Sequence, residues 1–283
     1  FSWTSSFNIS FNRNKVLSLN DDEPSLASRV NWGNFNNAYP YIAIPGHPIA
    51  MFYGHIFDGV YQYTDFDKVG ESYILKDGVP NNGNAREKIQ PGDIKFKDIN
   101  RDGVVNDYDL TIIGNPNPKH IGGFGNNFQY KNFDLNVFFQ WSYGGDVLNA
   151  NRIQFEGGDP NARTSLNMFA SFANRWTPEN QTNELYRIGG QGPAVYSSRT
   201  IEDGSFLRLK TVSLGYRLPN AWLKKINIKS LRVYASAQNL ITWTRYSGPD
   251  PEVSTRPTAL TPSFDWSPYP RPRTLTLGVD ISF

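Results

Sequence analysis

Cysteine is absent from the 283-residue sequence, which excludes a disulfide framework and any cysteine-based zinc or redox site. The sequence also has no apolar run of about 18 residues, and this excludes a transmembrane helix. The 28 basic and 26 acidic residues nearly balance and are scattered, so the chain carries no basic patch for nucleic acid. The three histidines are dispersed, and no zinc-protease, serine-hydrolase or phosphate-binding motif occurs. We therefore expect neither a nucleic-acid-binding protein nor an enzyme.

The first residues lack an initiating methionine and the basic and apolar segments of a signal peptide. Charged residues are also scarce, at 19% against roughly 25% in typical globular chains. Aromatic residues, in contrast, make up 14% of the chain, which is far more than disordered chains contain. The composition predicts an ordered chain, and the first residues predict that it begins within a larger structure.

Six segments alternate large apolar residues with small polar ones, the period of two that marks a β-strand lying between two different environments. In the last segment, Leu275 and Leu277 share one face while Thr276 and Gly278 share the other. Phe138 is an exception, because it places an aromatic ring on the polar face of its segment. The six segments are 1–12, 120–130, 133–143, 206–218, 231–243 and 275–283.

Two kinds of β-structure fit this alternation. In a soluble β-sandwich the apolar face would form the core. The segments are, however, about 10 residues or longer, which is the length that crosses a bilayer, and aromatic residues recur near their ends, as at a membrane interface. The polar face is rich in Asn, Ser, Thr, Gln and Gly, as a water-filled lumen requires. We therefore predict an all-β fold, the carboxy-terminal section of a transmembrane antiparallel β-barrel with about six strands.

The lengths of the connections predict the orientation of this barrel. If Phe283 ends at the periplasmic rim, strand alternation makes the connections 131–132 and 219–230 periplasmic. The connections 14–118, 147–205 and 245–273 are then external, and they are long, which is the asymmetry of outer-membrane barrels. Six strands cannot close a barrel, since the smallest bacterial barrels have about eight, so we expect further strands before residue 1.

Short motifs rich in glycine, proline, aspartate and aromatic residues occur along nearly the whole chain. They include Gly46-His47-Pro48-Ile49, Pro91-Gly92-Asp93-Ile94, Ile113-Gly114-Asn115-Pro116, Tyr130-Lys131-Asn132-Phe133, Ser205-Phe206-Leu207-Arg208, Tyr246-Ser247-Gly248 and Tyr269-Pro270-Arg271-Pro272-Arg273. In this order they resemble the carboxy-terminal third of SusC/RagA-type TonB-dependent outer-membrane transporters of Bacteroidetes.

The resemblance implies a barrel of about 22 strands with an amino-terminal plug and a TonB box, neither of which lies in these residues. It also implies a location in the outer membrane and import of oligosaccharide or peptide fragments. The implied partners are membrane lipid, a SusD-like surface lipoprotein, the TonB complex and the outer-membrane assembly machinery. Two alternatives remain at this point, a secreted calcium-dependent carbohydrate-binding β-sandwich and a passive porin.

A calcium loop is predicted between residues 98 and 109. Oxygen donors occupy positions 1, 3, 5, 7, 9 and 12 of an EF-hand-type pattern, with Gly103 at the turn. The donors are Asp98, Asn100, Asp102, the carbonyl of Val104, Asn106 and Asp109. Asp109 stands where an EF-hand has a bidentate glutamate, and its arm is shorter. The alternative is a turn held by Asx hydrogen bonds without a metal.

The last residues resemble the signal that the outer-membrane assembly machinery reads. Its candidate residues are Thr276, Gly278, Ile281 and Phe283, in which a terminal aromatic follows an alternating strand. Such a strand can add to an exposed sheet edge while the aromatic ring fills an apolar pocket. The alternative is an ordinary last strand that ends at phenylalanine.

Two further segments carry structural expectations. The apolar spacing over 161–176, followed by Thr177-Pro178, predicts a helix in the second long connection, either packed there or contacting a partner. The proline-stiffened stretch 243–266 could stack aromatic rings on sugars or peptides, although an interfacial girdle explains Trp243 equally well.

Overall fold

The computed structural model describes residues 1–35, 38–157, 166–194, 196–224, 227–255 and 257–283. In chain order the strands are β1 Ser2–Ser10, β2 Leu26–Ser28, β3 Tyr41–Ala43, β4 Met51–Gly54, β5 Phe57–Val60, β6 Phe66–Val69, β7 Ser72–Leu75, β8 Ile94–Phe96, β9 Thr111–Gly114, β10 His120–Tyr130, β11 Phe133–Tyr143, β12 Asp146–Asn149, β13 Ile201–Asp203, β14 Phe206–Arg217, β15 Ser230–Thr244, β16 Phe264–Asp265 and β17 Thr274–Ser282. The α-helices are α1 Ala150–Phe155 and α2 Asn220–Leu223. Among these residues, no helix combines the length and the apolar character needed to cross a membrane.

Six long strands form one antiparallel sheet in the order β1-β10-β11-β14-β15-β17. These are the six strands that the alternation predicts, so this part of the sequence-based fold is confirmed. The strands form a single sheet rather than two sheets packed face to face, which removes the β-sandwich alternative. Among the described residues, the edge strands β1 and β17 each pair on one side, so the six strands are a section of a barrel that these residues do not close.

One face of this sheet is apolar and uncovered. Register pairs Trp3 with Phe128 and Phe7 with Phe124, so large apolar side chains lie side by side across strands. Leu277 on the last strand is 86% exposed. Contiguous apolar surface of this size is rare on a soluble monomer, and on a barrel it is the surface that contacts lipid.

A polar residue also lies on the apolar face, and its hydrogen bonds are made locally. Asn126 pairs with Ser5 and is buried. Its side-chain oxygen accepts the indole N–H of Trp3 at 2.9 Å and the hydroxyl of Ser5 at 2.6 Å. The two donors are satisfied within the protein, which a lipid environment requires.

Glycines on β10 make room for aromatic rings of β11. A Cβ at Gly122 would lie 2.2 Å from the Trp141 ring, and a Cβ at Gly123 would lie 2.8 Å from the Phe138 ring. Phe138 therefore breaks the polar pattern of its strand because it covers the glycine surface of the neighbouring strand. Aromatic cover of a glycine also helps to set strand register.

The three long connections, 11–119, 144–205 and 245–273, all leave the same end of the sheet and fold together into a cap. Their largest core draws buried residues from all three connections. Its members are Val30, Trp32, Phe35, Tyr41, Ala50, Phe52, Leu148, Ala150, Ile153 and Phe264. A second core joins the first two connections and consists of Val60, Ile94, Phe96, Val105, Trp176, Leu185 and Tyr186. Because each core mixes distant segments, the connections form one packed unit and not separate flexible loops.

Short sheets and helical turns complete the cap. Its sheets have the orders β2-β3-β4-β9, β13-β12-β16, β5-β8 and β6-β7. Its 3-10 turns are Asn20–Asp22, Gly33–Phe35, Tyr63–Asp65, Arg86–Lys88, Asp107–Asp109, Ala170–Asn174 and Ser198–Thr200.

The helix predicted over 161–176 is wrong where the structure describes this segment. Residues 161–165 lie outside the described part, and only the short 3-10 turn Ala170–Asn174 follows. The apolar spacing arises because the side chains contact different elements. Phe169 packs on Phe155 of α1, whereas Trp176 packs on Tyr63 and donates its indole N–H to the side chain of Gln62 at 3.0 Å.

Candidate functional site on the polar face

A buried arginine on β14 lies at the centre of the polar face near the cap. Arg208 is 1% exposed and binds two carboxylates of the third connection. Its Nη2 lies 2.5 Å from Asp250 Oδ1, and its Nη1 lies 2.7 Å from Glu252 Oε2. Its Nε donates to Thr242 Oγ1 of β15 at 3.0 Å. The guanidinium is thus bound by one neighbouring strand, β15, and by one connection.

A second arginine completes the cluster. Arg271 Nε lies 2.9 Å from Asp250 Oδ2, and Arg271 Nη1 lies 2.8 Å from Glu252 Oε2. Gln140 of β11 donates to the other oxygen of Glu252 at 3.3 Å. Two arginines and two carboxylates balance in charge, so the buried Arg208 is compensated. The cluster ties the connection 245–273 to the inner wall of the sheet, and we call this connection the strap.

A cavity of about 450 Å³ lies between the wall and the strap. Lumen-facing Asn8, Ser10, Gln140 and Ser142 line one side, and Pro251 of the strap lines another. Its volume lies in the range of binding sites for small molecules. Its lining combines polar groups with the flat surfaces of proline and aromatic residues. A cavity of this kind suits hydrogen bonding to sugar hydroxyls or peptide groups.

A buried ionic network links the second connection to the strap. Glu156 binds Arg199 at 2.6 Å and Arg152 at 2.9 Å, and accepts from the hydroxyl of Ser171 at 2.6 Å. Burial works to raise the pKa of Glu156, but this hydrogen bond and the two arginines together lower it below the ordinary glutamate value. Glu156 is therefore a charged group in the interior of the cap.

The same network continues through Glu202 to the strap. Glu202 lies 3.3 Å from Arg152 and accepts from the backbone N–H of Ser247 at 2.8 Å. Nearby, Asp265 accepts hydrogen bonds from Tyr246 and, at 2.9 Å, from Asn151. Burial raises the pKa of Asp265 above the ordinary aspartate value although these bonds oppose the shift. The strap is thus bound to the second connection at Ser247 through Glu202 and at Asp265 through Asn151.

An arginine clasp lies near the opposite end of the polar face. Arg232 of β15 reaches across β14 to Asp134 of β11, with Nη2 to Oδ2 at 2.6 Å, and also binds Asp280 of β17 at 3.1 Å. A Cβ at Gly215 would lie 2.5 Å from the guanidinium, so glycine is needed for the arginine to cross this strand. The clasp fixes four strands against one another.

In the loop 98–109, the predicted ligand side chains accept hydrogen bonds from the backbone. Asp98 accepts the N–H of Arg101 at 2.7 Å and of Gly103 at 2.8 Å. Asp109 is fully buried and accepts the N–H of Ile99 at 2.7 Å and of Asn106 at 2.9 Å.

The loop has the oxygen donors and the sharp glycine turn that a hard cation such as calcium requires. Its carboxylates, however, are not arranged around a common centre. Gly103 has a φ of +85° with open space beside it, as a calcium loop requires at its sharp turn. In the part of the chain that the structure describes, however, no group of three or more His, Cys, Asp or Glu side chains is arranged to hold a metal ion. The Asx turns of the alternative reading are present. Each carboxylate oxygen that accepts a backbone N–H keeps a second lone pair that is able to bind calcium. The calcium site therefore stays a prediction.

The residues of the assembly signal lie on and just beyond β17. Thr276 and Gly278 are on the polar face, whereas Ile281 is on the apolar face and is half exposed. Phe283 follows the strand and is 76% exposed. A Cβ at Gly278 would lie 2.3 Å from the ring of Tyr234, so packing by itself accounts for this glycine. The assembly signal stays a prediction.

Sequence analysis missed the Arg208 cluster. The available signal was an arginine at a polar-face position of a strand, together with two acidic residues in a proline-rich stretch more than 40 positions away. Their pairing depends on the strap folding back into the barrel, which no local pattern specifies.

No protein-family model matches the chain. TonB-dependent receptor P3 of Formosa agariphila is 35% identical over 288 residues, which cover 100% of this chain and 27% of that protein. SusC of Bacteroides thetaiotaomicron, also a TonB-dependent receptor, is 28% identical over 291 residues, which cover 100% of this chain and 24% of SusC. A solved structure of the RagAB peptide transporter superposes with a TM-score of 0.72 at 24% identity, covering 99% of this chain and 27% of that chain.

The uncovered apolar face, the polar inner wall and these structural neighbours define a section of an outer-membrane β-barrel. Over its whole length the chain is homologous to TonB-dependent receptors, SusC among them, as the motifs implied. It spans about a quarter of the length of the curated relatives that it matches.

The Arg208 cluster gives a test of how the strap is held. In the intact protein, Asp250→Asn should lower the free energy of local opening of the strap by about 3 kcal/mol, because it removes a partner of a buried charge. Hydrogen exchange of the strap amides measures this opening. Glu71→Gln, at an exposed turn of the cap, is the matched control and should leave exchange unchanged. Equal strap protection in Asp250→Asn and wild type would contradict the assigned role.

Proposed function

We propose that the chain forms wall, cap and strap of a TonB-dependent importer that takes up oligosaccharide or peptide fragments across the outer membrane. The observation that carries the proposal is similarity to TonB-dependent receptors over the entire chain, including the cap as well as the strands. The cavity between wall and strap supports it, because it presents hydrogen-bonding groups and flat apolar surfaces to the lumen. Uptake by such a carrier requires no chemistry on the substrate.

In the proposed orientation the cap faces the outside and the connections 131–132 and 218–229 face the periplasm. Outer-membrane barrels have long loops outside and short turns at the periplasm. The large cap at one end and the tight turn between β10 and β11 at the other end support this assignment. A SusD-like surface lipoprotein would then close over the cap, and the TonB complex would act through parts of the protein outside this chain. The RagAB structures, one of them described as a peptide importer in an open-open state, support peptide as one substrate class, and similarity to SusC supports the same transporter architecture.

Complementation of a bacterial strain that lacks the intact protein tests this function, with substrate uptake as the measurement. Wild-type protein should restore growth on one class of oligosaccharide or peptide, and dissipating the proton gradient that drives TonB should abolish the uptake. Asn8→Trp should strongly lower uptake because the ring would fill the cavity between wall and strap. Thr4→Trp, on the same face of the same strand but outside the cavity, should not. Uptake that persists without the proton gradient would favour a passive porin instead.

We also propose that the loop 98–109 binds calcium through Asp98, Asn100, Asp102, Val104, Asn106 and Asp109, and that the ion stiffens the rim of the cap. The donor spacing and the glycine turn support it. The backbone hydrogen bonds of Asp98 and Asp109 would preorganise the loop, and the side chains would have to turn toward a common centre.

Calorimetric titration of the intact protein tests the calcium proposal. Wild type should bind calcium, and Asp98→Asn with Asp102→Asn should weaken binding by at least about tenfold, because calcium affinity depends on ligand charge. Asp67→Asn, in the exposed hairpin β6-β7, is the charge-matched control. If millimolar calcium produced no heat of binding, the calcium proposal would be wrong, and the loop would be a turn held by Asx hydrogen bonds.

Finally, we propose that Thr276, Gly278, Ile281 and Phe283 form the signal read by the assembly machinery. The exposed terminal ring supports this, since the described contacts of the chain do not explain it. Deleting Phe283 should reduce the amount of assembled barrel, measured by heat-dependent gel migration, whereas Phe11→Ala near the opposite edge strand should not. An unchanged amount of assembled barrel after deletion of Phe283 would contradict the proposal.

A further inference from the structure

An open groove of about 660 Å³ lies on the apolar face of the sheet, at the end that carries the cap. Register places Trp141, Leu207 and Trp243 in one row across three strands. His120 and Tyr143 pair in the row beyond. The groove is therefore continuous with the lipid-contacting surface, and an acyl chain could follow this surface into it.

Cationic groups stand at both sides of the groove. Arg245 directly follows β15 and is exposed, and the ammonium of Lys119 lies 5.8 Å from the centre of the Tyr143 ring. Within the described residues, neither side chain forms an ion pair. One carboxylate, Asp203, also lines the groove, and it accepts the backbone N–H of Ser205 at 2.9 Å. Asp146 also interacts electrostatically with Lys119, but it lines the cavity on the polar face. On the apolar side, Arg245 in the groove and Lys119 at its edge therefore stand against Asp203.

The aromatic groups add a directed donor and flat surfaces. The indole N–H of Trp141 donates to His120 Nδ1 at 3.1 Å, so the neutral imidazole carries its hydrogen on Nε2. The His120 ring stacks on Tyr143 at 5.1 Å. Tyr143 and Trp243 are each about half exposed, and such rings pack against the apolar faces of sugars.

We propose that this groove binds a phosphorylated glycolipid of the outer leaflet. Its phosphate would lie between Lys119 and Arg245, its sugar against Tyr143 and Trp243, and an acyl chain over Leu207. Charge complementarity and continuity with the lipid-contacting surface select this occupant. The proposal rests on the proposed function, because it needs this end of the barrel to face the outside.

Native mass spectrometry of the intact protein tests the site. The probes are a purified diphosphorylated lipid A and phosphatidylglycerol, added at equal concentration. Lys119→Gln combined with Arg245→Gln should reduce bound lipid A by at least about tenfold, since each cation near a charged lipid surface contributes to binding. Lys131→Gln is the matched control, because Lys131 lies over the Tyr130 ring at 5.4 Å in the same way at the other rim.

Two results would overturn the proposal: equal lipid A binding by the double variant and wild type, or equal binding of phosphatidylglycerol and lipid A. Cysteine labelling separates this failure from failure of the proposed function. In a cysteine-free background, a membrane-impermeant maleimide should label Tyr108→Cys in intact cells and Trp222→Cys only after lysis. The opposite labelling pattern would overturn the orientation and the glycolipid site together. The expected pattern with unchanged lipid A binding would overturn the glycolipid site alone.

Discussion

Inside a bilayer every backbone N–H and C=O must be hydrogen-bonded by the protein. The antiparallel ladder meets this constraint between neighbouring strands, and the outer edges of β1 and β17 are left for further pairing. The remaining features of the wall follow from it. Strands that pair along their length show one face to lipid and one to the lumen, so an intruding polar residue such as Asn126 must find its partners on the same face. The same pairing sends all three long connections to one end of the sheet, where they meet and share cores.

Glycine recurs where a large side chain must cross a neighbouring strand. Gly122 and Gly123 make room for Trp141 and Phe138, Gly215 for Arg232, and Gly278 for Tyr234. In each case the larger residue covers the glycine on the adjacent strand and fixes the register between the two. Side chains therefore interlock on both faces of the sheet, and on the polar face the Arg232 clasp couples strands that are not neighbours.

Ionic contacts join the strap to the wall and also order the rest of the cap. Arg208 fixes the strap to the polar face, whereas Glu156 pairs with Arg199 and Arg152 inside the second connection. Removing water from paired charges costs free energy that the pairs must recover through close geometry. Such contacts hold one arrangement of the strap over the cavity, and this arrangement determines the shape that a substrate would meet.

The sequence by itself determined the six strands, their faces and their order. Lipid on one side of the sheet and water on the other require apolar and polar residues to alternate, and this alternation can be recognised in the sequence of each strand. It also carried the motifs shared with TonB-dependent receptors. Only the tertiary structure decided how the connections pack: Phe264 joins a core with Trp32 from the first connection, and the aromatic spacing that predicted a helix over 161–176 serves separate partners. It also decided the pairing of Arg208 with Asp250. These contacts join residues far apart in the chain and follow no period, so no local pattern specifies them.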